Sequence, residues 1–494
     1  MKPLKSIIKK HWPFLVVLAV AFFLRLYRLD QLTTFGSDQG QDFLTVKDMV
    51  LEHKWTLLGI KTSVGAFFQG PVYLYILYPF FWLFKLQPIA GAIAAVTLSI
   101  STIILLYITC LKYFSKEVAF FSSFIFAVSP EFVRYGNTPL YQHFLPFFIV
   151  LSIFIFLSKK EDLFTPVLLG IVVGIGIELH LLNISLALAY FLFYGLFSKE
   201  KIKKVFSYGI GIAVGTGPTI IFELRHQFLN TNLFLNYQNS TVSKLSLATF
   251  FGQWIRGSAM FLAGNSMITG LIVLLVTILL LLTFKSALTN YLKIKELTVL
   301  TAGVILLFTL RFSVSEPHYI LPWWILLVIL FPFLVLQVFP KKIAFILLTL
   351  LITVNLGNSL KQLNNDQGYN MPPGLTLGKI DQAGSIIGID SKTHENFNVA
   401  STLDGGTRNY PLRYTAEIYG AKPGGVENFP ANNYLYLMSD SNKEKIFKNE
   451  TWEISVIKPF IIGKEWNLGD NVYLYRLDRV KTPNIDIISM WTLN

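Results

Sequence analysis

Apolar runs recur through the first 360 residues of this chain, near 12–27, 88–111, 117–133, 139–157, 164–181, 183–197, 205–222, 266–284, 298–312, 319–339 and 343–357. A segment inside hydrocarbon satisfies its backbone only within itself, so a helix of about 20 apolar residues is the element such runs dictate. Several runs are shorter than that, and tilted or interrupted helices are expected there. At 53% hydrophobic and 14% charged residues over 494 positions, the chain carries far more apolar surface than a soluble domain needs. It reads as a polytopic α-helical membrane protein with about 11 transmembrane helices.

The charge supports this reading. The net charge is +13, yet residues 360–494 hold 14 Lys+Arg against 15 Asp+Glu, so the excess lies in the first 359 residues. A basic surface built for nucleic acid is therefore not indicated. Lys2, Lys5, Lys9 and Lys10 precede the first run and place the N-terminus in the cytoplasm. Arg25 and Arg28 follow it where a cleavage site would need small residues, so the run is read as a retained anchor. Lys112 and Lys116, Lys159 and Lys160, Lys199 to Lys204, Lys285 to Lys295, and Lys341 with Lys342 then fall in alternate loops, as cytoplasmic loops should. The single Cys110 sits inside an apolar run and supports neither a disulfide framework nor a thiolate metal site.

The apolar stretch Gly70 to Leu86 cannot be a span without reversing every later loop, so it belongs to a long first external loop, 30–87, as a juxtamembrane helix. Within that loop Phe43, Val46, Met49 and Val50 recur at helical spacing and predict a second interfacial helix over Asp42 to His53. An odd number of spans puts the C-terminus outside. The chain thus divides into a membrane module, 1–359, and an extracytoplasmic domain, 360–494, whose strings Tyr434-Leu-Tyr-Leu and Val472-Tyr-Leu-Tyr-Arg predict an α+β or β-rich fold.

The chemistry is expected outside. Asp38 and Asp42, four residues apart in FGSDQGQDF, share a helix face and suit proton transfer or recognition. The bland alternative makes one of them, or Ser37, the N-cap of the interfacial helix. Gly36 and Gly40 would let the backbone turn close to a ligand. In this topology the cytoplasmic loops carry seventeen lysines and no arginine, while Arg25, Arg28, Arg134, Arg225, Arg256 and Arg311 lie at or near the external side. A guanidinium fork suits bidentate contact with phosphate or carboxylate, so this segregation points to an anionic ligand outside, with snorkelling as the simpler explanation. Glu131, Glu178, His180, Glu223, His226, Glu316 and His318 adjoin predicted span ends on the same side, as ligands would or as helix-end pairs would. No zinc-type histidine spacing and no glycine-rich phosphate loop occurs, so no cofactor and no metal is assigned.

In its order of motifs the sequence resembles the C-type (GT-C) glycosyltransferases, in particular the protein O-mannosyltransferases and lipid A aminoarabinose transferases. Asp38-Gln39 stands where that family has Asp-Glu, and Gly70-Pro71-Val72-Tyr73-Leu74-Tyr75 for its Lys/His-Pro-Pro-Leu-Tyr-Tyr-like helix. Ser129-Pro130, Asn137 with Pro139, Phe222-Glu223-Leu224-Arg225-His226 and His318-Tyr319-Ile320-Leu321-Pro322 continue the likeness, which covers about residues 10–345. It implies a GT-C membrane fold in the plasma membrane and inverting transfer of a sugar from a polyprenyl-phosphate donor to a lipid, glycan or protein acceptor on the outer face. It also implies Asp38 as general base, with Asp42 as rival, Arg225, His226, Arg256 and His318 at the donor phosphate, and Tyr73, Arg134, Asn137, His180 and Glu223 at the substrate. The sequence departs from the family at Gln39, at Asn137 where the aminoarabinose transferases have Asp, and at Gln69-Gly70, which lacks the preceding Lys or His. A lipid or glycan transporter, or a relative that binds a lipid-linked sugar without transferring it, is the alternative reading.

Overall fold

The computed structural model describes residues 2–62, 67–158, 162–240, 247–283, 296–305, 317–403, 407–440 and 442–480. Arg311, Glu316 and the lysines Lys159, Lys160 and Lys285 to Lys295 lie outside these residues. The chain forms two compact units, neither of them contiguous in sequence. One comprises Met1–Tyr27, Trp55–Ile76 and Ala94–Asn364, the other Arg28–Lys54, Leu77–Ile93 and Asn365–Asn494.

The first unit is mostly helical in its described residues, apart from the segment before Val72, where Lys61 and Phe68 form an antiparallel bridge. Its elements follow the expected apolar runs: Lys2–Leu26, Ile89–Tyr113, Lys116–Val128, Tyr141–Phe156, Phe164–Leu179, Ile184–Phe197, Lys201–Gly215, Met267–Thr283, Leu321–Val338 and Lys341–Gln362. Three described helices have the length and composition of a full crossing, Ile89–Tyr113, His318–Val338 and Lys341–Gln362, or five if two bent pairs each count as one. Shorter apolar helices, His11–Leu26 among them, fill out a multi-pass membrane fold.

Local chemistry explains the interruptions. The run at 117–133 breaks at Ser129, whose extended backbone precedes Pro130. The run at 205–222 bends by 73° where Gly217-Pro218 opens the helix Gly217–Arg225. Phe251–Leu262 and Met267–Ile278 meet at 100° across Gly264 and Asn265, both left-handed. The helix Leu247–Leu262 is an addition to the expected runs.

Within this unit Phe164–Leu179 and Lys201–Gly215 pack with their backbones in near contact. A Cβ on Gly170 or Gly211 would strike the Tyr208 or Val167 carbonyl of the facing helix, and Gly174 and Gly215 meet in the same way. Close approach of small residues is how helices associate where no hydrophobic difference drives them together. Arg25 is fully buried at the end of Lys2–Leu26. It donates to Ser99 Oγ at 2.7 Å, to the Ala127 carbonyl at 2.8 Å and to the Phe132 carbonyl at 3.2 Å. It thereby satisfies the carbonyls left open at the Ser129-Pro130 break.

The second unit holds a four-stranded sheet in the order β1-β2-β4-β3. Strand β1 (Phe397–Ser401) pairs in parallel with β2 (Tyr434–Ser439), and β4 (Tyr473–Arg479) runs antiparallel to both β2 and β3 (Phe460–Asn467). The expected Tyr-Leu-Tyr strings are β2 and β4, and with helices Leu377–Asp390 and Tyr410–Ile418 they make the C-terminal portion a mixed α+β fold. Asp390 ties helix to sheet, accepting from Tyr436 Oη at 2.8 Å, Arg476 Nη1 at 2.9 Å and Lys464 Nζ at 2.5 Å. Burial alone would raise its pKa, but these hydrogen bonds outweigh burial and bring it down to about 2.

The packing predicts a contrast between glycines. Gly211→Val should lower stability by about 1–3 kcal/mol through overpacking, whereas Gly209→Ala, with nothing near its missing Cβ, should be neutral or gain up to about 1 kcal/mol. Thermal unfolding in detergent checks both.

Candidate active site

The helix expected over Asp42 to His53 runs from Ser37 to Glu52 and includes both aspartates. Its N-cap is Gly36, not Ser37 or Asp38, and Gln39 Oε1 accepts the Gly36 N–H at 2.9 Å. Gln39 thus does as an amide what a glutamate does at the third position of a capping box. The helix is set against C-terminal residues of the same unit. Gly40 meets the backbone of Tyr410 and Pro411, with no room for a Cβ, so its small size serves packing within the unit. Lys47 pairs with Glu417. Phe43 packs on Phe35, Phe81 and Tyr414, with ring centroids 5.2, 4.6 and 5.6 Å away.

This docking separates the environments of the two aspartates. Asp38, in the first turn, is exposed at the surface. Asp42 is buried, and its Oδ2 has no hydrogen-bond partner among the described residues. Burial pushes the Asp42 pKa well above the usual carboxylate range, and the neighbouring Asp38 charge pushes it further. The surrounding protein also raises Asp38, to a lesser degree. Two carboxylates so coupled titrate as a pair, with the proton held at the buried member. The outer one is then the member left ionised to accept a proton.

The first unit gathers a second set of the expected site residues. His180 lies 5.8 Å from His318, ring to ring, and stacks on Tyr141 at the same spacing. Tyr141 also meets Tyr73 edge-on, with Tyr73 packed on Phe144. His318 sits in the turn Pro317–Ile320 that leads into Leu321–Val338. Arg134 pairs with Glu131 three residues before it, and Asn137 is buried with its Oδ1 accepting from Thr138. Glu223 is buried near the end of Gly217–Arg225 and accepts from the Thr231 N–H at 3.2 Å. Arg225, His226 and Arg256 are exposed, and no contact among the described residues joins them to the His180 cluster. His226 instead donates from Nδ1 to the Phe222 carbonyl of its own turn at 2.9 Å.

The arginines whose segregation pointed to an anionic ligand or to snorkelling include Arg25, whose guanidinium is spent on carbonyls and Ser99. Tyr141 carried no motif of its own, and only the fold reveals that it bridges Tyr73 to His180. Gly70, which takes the place of a larger polar residue in the family motif, lies directly against the Glu178 carboxylate. Among the described residues no group of three or more His, Cys, Asp or Glu side chains is arranged to hold a metal.

Residues 69–221 match the model of the dolichyl-phosphate-mannose-protein mannosyltransferase family. The fold is similar to that of ArnT from Cupriavidus metallidurans bound to undecaprenyl phosphate, at a TM-score of 0.62 and 12% identity, covering 94% of this chain and 98% of that one. It is also similar to the Archaeoglobus fulgidus oligosaccharyltransferase in complex with zinc and sulfate, at a TM-score of 0.53 and 13% identity, over 94% of this chain and 73% of that one. Residues 69–221 are thus similar to that family, and the chain shares its fold with these two solved structures. At this identity the two solved structures establish the fold, and the family segment adds a group of enzymes named for a polyprenyl-phosphate sugar. No curated protein matches the sequence. The matched segment contains Gly70, Tyr73, Glu131, Arg134, Asn137, Glu178 and His180, while Asp38 and Asp42 precede it.

The raised Asp42 pKa fixes the sign of a pH effect. A carboxyl whose folded pKa exceeds its unfolded value of 3.8 favours the folded state below that value and loses this contribution as pH rises through the folded pKa. Asp42→Asn should therefore raise the Tm at pH 7 and leave it little changed near pH 4. A lower Tm at pH 7 would contradict the buried, protonated assignment.

Proposed function

We propose that this protein transfers a sugar from a polyprenyl-phosphate carrier to an acceptor on the outer face of the membrane, inverting the anomeric centre. The observation that carries the reading is the aspartate pair, one member exposed and one buried with an unpartnered oxygen, on a helix clamped against the C-terminal portion. Asp38 takes the proton of the acceptor hydroxyl as its oxygen bonds to the anomeric carbon. The bond from that carbon to the carrier phosphate breaks on the opposite side, and its electron pair leaves with the phosphate. Asp42 holds its proton and keeps the developing acid at Asp38 free of a second negative charge.

The leaving phosphate needs positive charge or hydrogen-bond donors. Arg225, His226, Arg256 and His318 are proposed for this role, and Tyr73, Arg134, Asn137, His180 and Glu223 for binding substrate. Residues 365–494 share a unit with the base and are assigned to the acceptor side. The lysine pattern of the loops supports an extracytoplasmic C-terminus, and a reporter fused at Asn494 should read as external.

Transfer in membranes supplied with radiolabelled polyprenyl-phosphate sugars tests the reading. Asp38→Asn should lower the rate by about 10²–10⁴-fold, the usual contribution of a general base, while donor binding persists. Equal activity of Asp38→Asn and wild type would remove this base from the mechanism.

A further inference from the structure

A second pair of carboxylates, entirely within the first unit, lines a small pocket of about 170 Å³. Glu178 ends the helix Phe164–Leu179, and Glu223 lies on Gly217–Arg225. Both are buried. Glu178 accepts from the hydroxyl and the backbone N–H of Thr219, yet its Oε2 has no hydrogen-bond partner among the described residues. A buried carboxylate oxygen without a donor is costly, so a site that keeps one is built for a ligand that supplies the donor.

The other polar groups of the pocket sharpen this. Asn230 holds the backbone of Phe68, donating to its carbonyl at 3.1 Å and accepting its N–H at 2.6 Å. The Thr216 hydroxyl donates to Ile212 of its own helix at 2.9 Å. Glu223 keeps acceptor capacity beyond the single Thr231 N–H. None of the described lining residues is Lys, Arg or His. The carboxylates' open valences are acceptors with no cation among the described lining residues to meet them, beside an aromatic wall in which Phe67 meets Phe234 edge-on at 5.2 Å. Gly70 is what allows the Glu178 carboxylate to stand here, since any Cβ at 70 would occupy its place.

We infer that this pocket is a recognition site for a sugar ring that donates hydrogen bonds and carries no negative charge, with Glu178 and Glu223 as the residues that select it. The inference rests on the proposed use of a polyprenyl-linked sugar and adds its class. Hydroxyl or ammonium hydrogens satisfy Glu178 Oε2 and Glu223, and the apolar face of the ring lies on Phe67 and Phe234. A uronic acid would bring a third carboxylate into a pocket with no cation to meet it, and is excluded.

The test is binding by the full-length protein in lipid nanodiscs, titrated with bare polyprenyl phosphate and with the same lipid carrying a neutral hexose, an amino sugar or a uronic acid. Wild type should bind the hexose or amino-sugar carrier about tenfold more tightly than the bare lipid, and the uronate carrier no more tightly. A stronger preference for the amino sugar would assign ammonium as the donor, and equal or stronger hexose binding would assign hydroxyl. Glu178→Gln and Glu223→Gln should each remove most of that increment and leave bare-lipid affinity unchanged. Uronate binding as tight as hexose binding, or an increment retained in both glutamine variants, overturns the inference while the transferase reading stands. Wild type that binds none of the lipids overturns both.

Discussion

A charge taken out of water must be matched where it sits, and this protein is organised by how it meets or declines that demand. Arg25 meets it, turning the helix break at Ser129-Pro130 into a junction by donating to Ser99 and to carbonyls on either side. Asp390 meets it with a tyrosine, an arginine and a lysine, and so joins helix to sheet in the C-terminal fold. Asp42 and Glu178 decline it, each leaving a buried oxygen without a donor among the described residues. Asp381 also keeps one such oxygen, although its other accepts from Tyr419. Groups held at such cost are where chemistry or recognition is expected.

The acidic pair acquires its asymmetry from tertiary structure. Gly40 admits the Tyr410-Pro411 backbone, the aromatic cluster around Phe43 fixes the helix orientation, and Lys47 closes its far end on Glu417. One helical turn then spans the change from solvent to interior, from Asp38 to Asp42. Gln39, a departure from the family's acidic residue, costs the arrangement nothing structurally because its oxygen still caps the helix. An amide at this position also keeps a third charge away from a pair that already repel one another.

Much of the fold was legible in the sequence because hydrocarbon leaves the backbone so few options. The apolar runs became helices, and the interruptions fell at Pro130, Gly217-Pro218 and Gly264-Asn265. Leu247–Leu262 escaped notice because Gln253, Arg256 and Ser258 dilute its apolar pattern. The aspartate helix was placed five residues too late, since its first turn is polar and carries capping chemistry instead of periodicity. The acidic pair itself stood out locally. Its partners did not: Lys47 and Glu417 are 370 positions apart, and no local signal announces such a contact. Likewise Glu178 and Glu223 each read as a helix end, and only the pocket makes them a pair.

The central claim is that one carboxylate of the Asp38–Asp42 pair holds a proton at neutral pH so that the other can act as base. Carboxyl-region infrared difference spectroscopy on aspartate-labelled protein, comparing wild type with Asp42→Asn and Asp38→Asn, addresses this without any substrate. The account predicts a protonated carboxyl band at pH 7 that disappears in Asp42→Asn and persists in Asp38→Asn. Two ionised aspartates at pH 7, or a protonated band that follows Asp38, would contradict it.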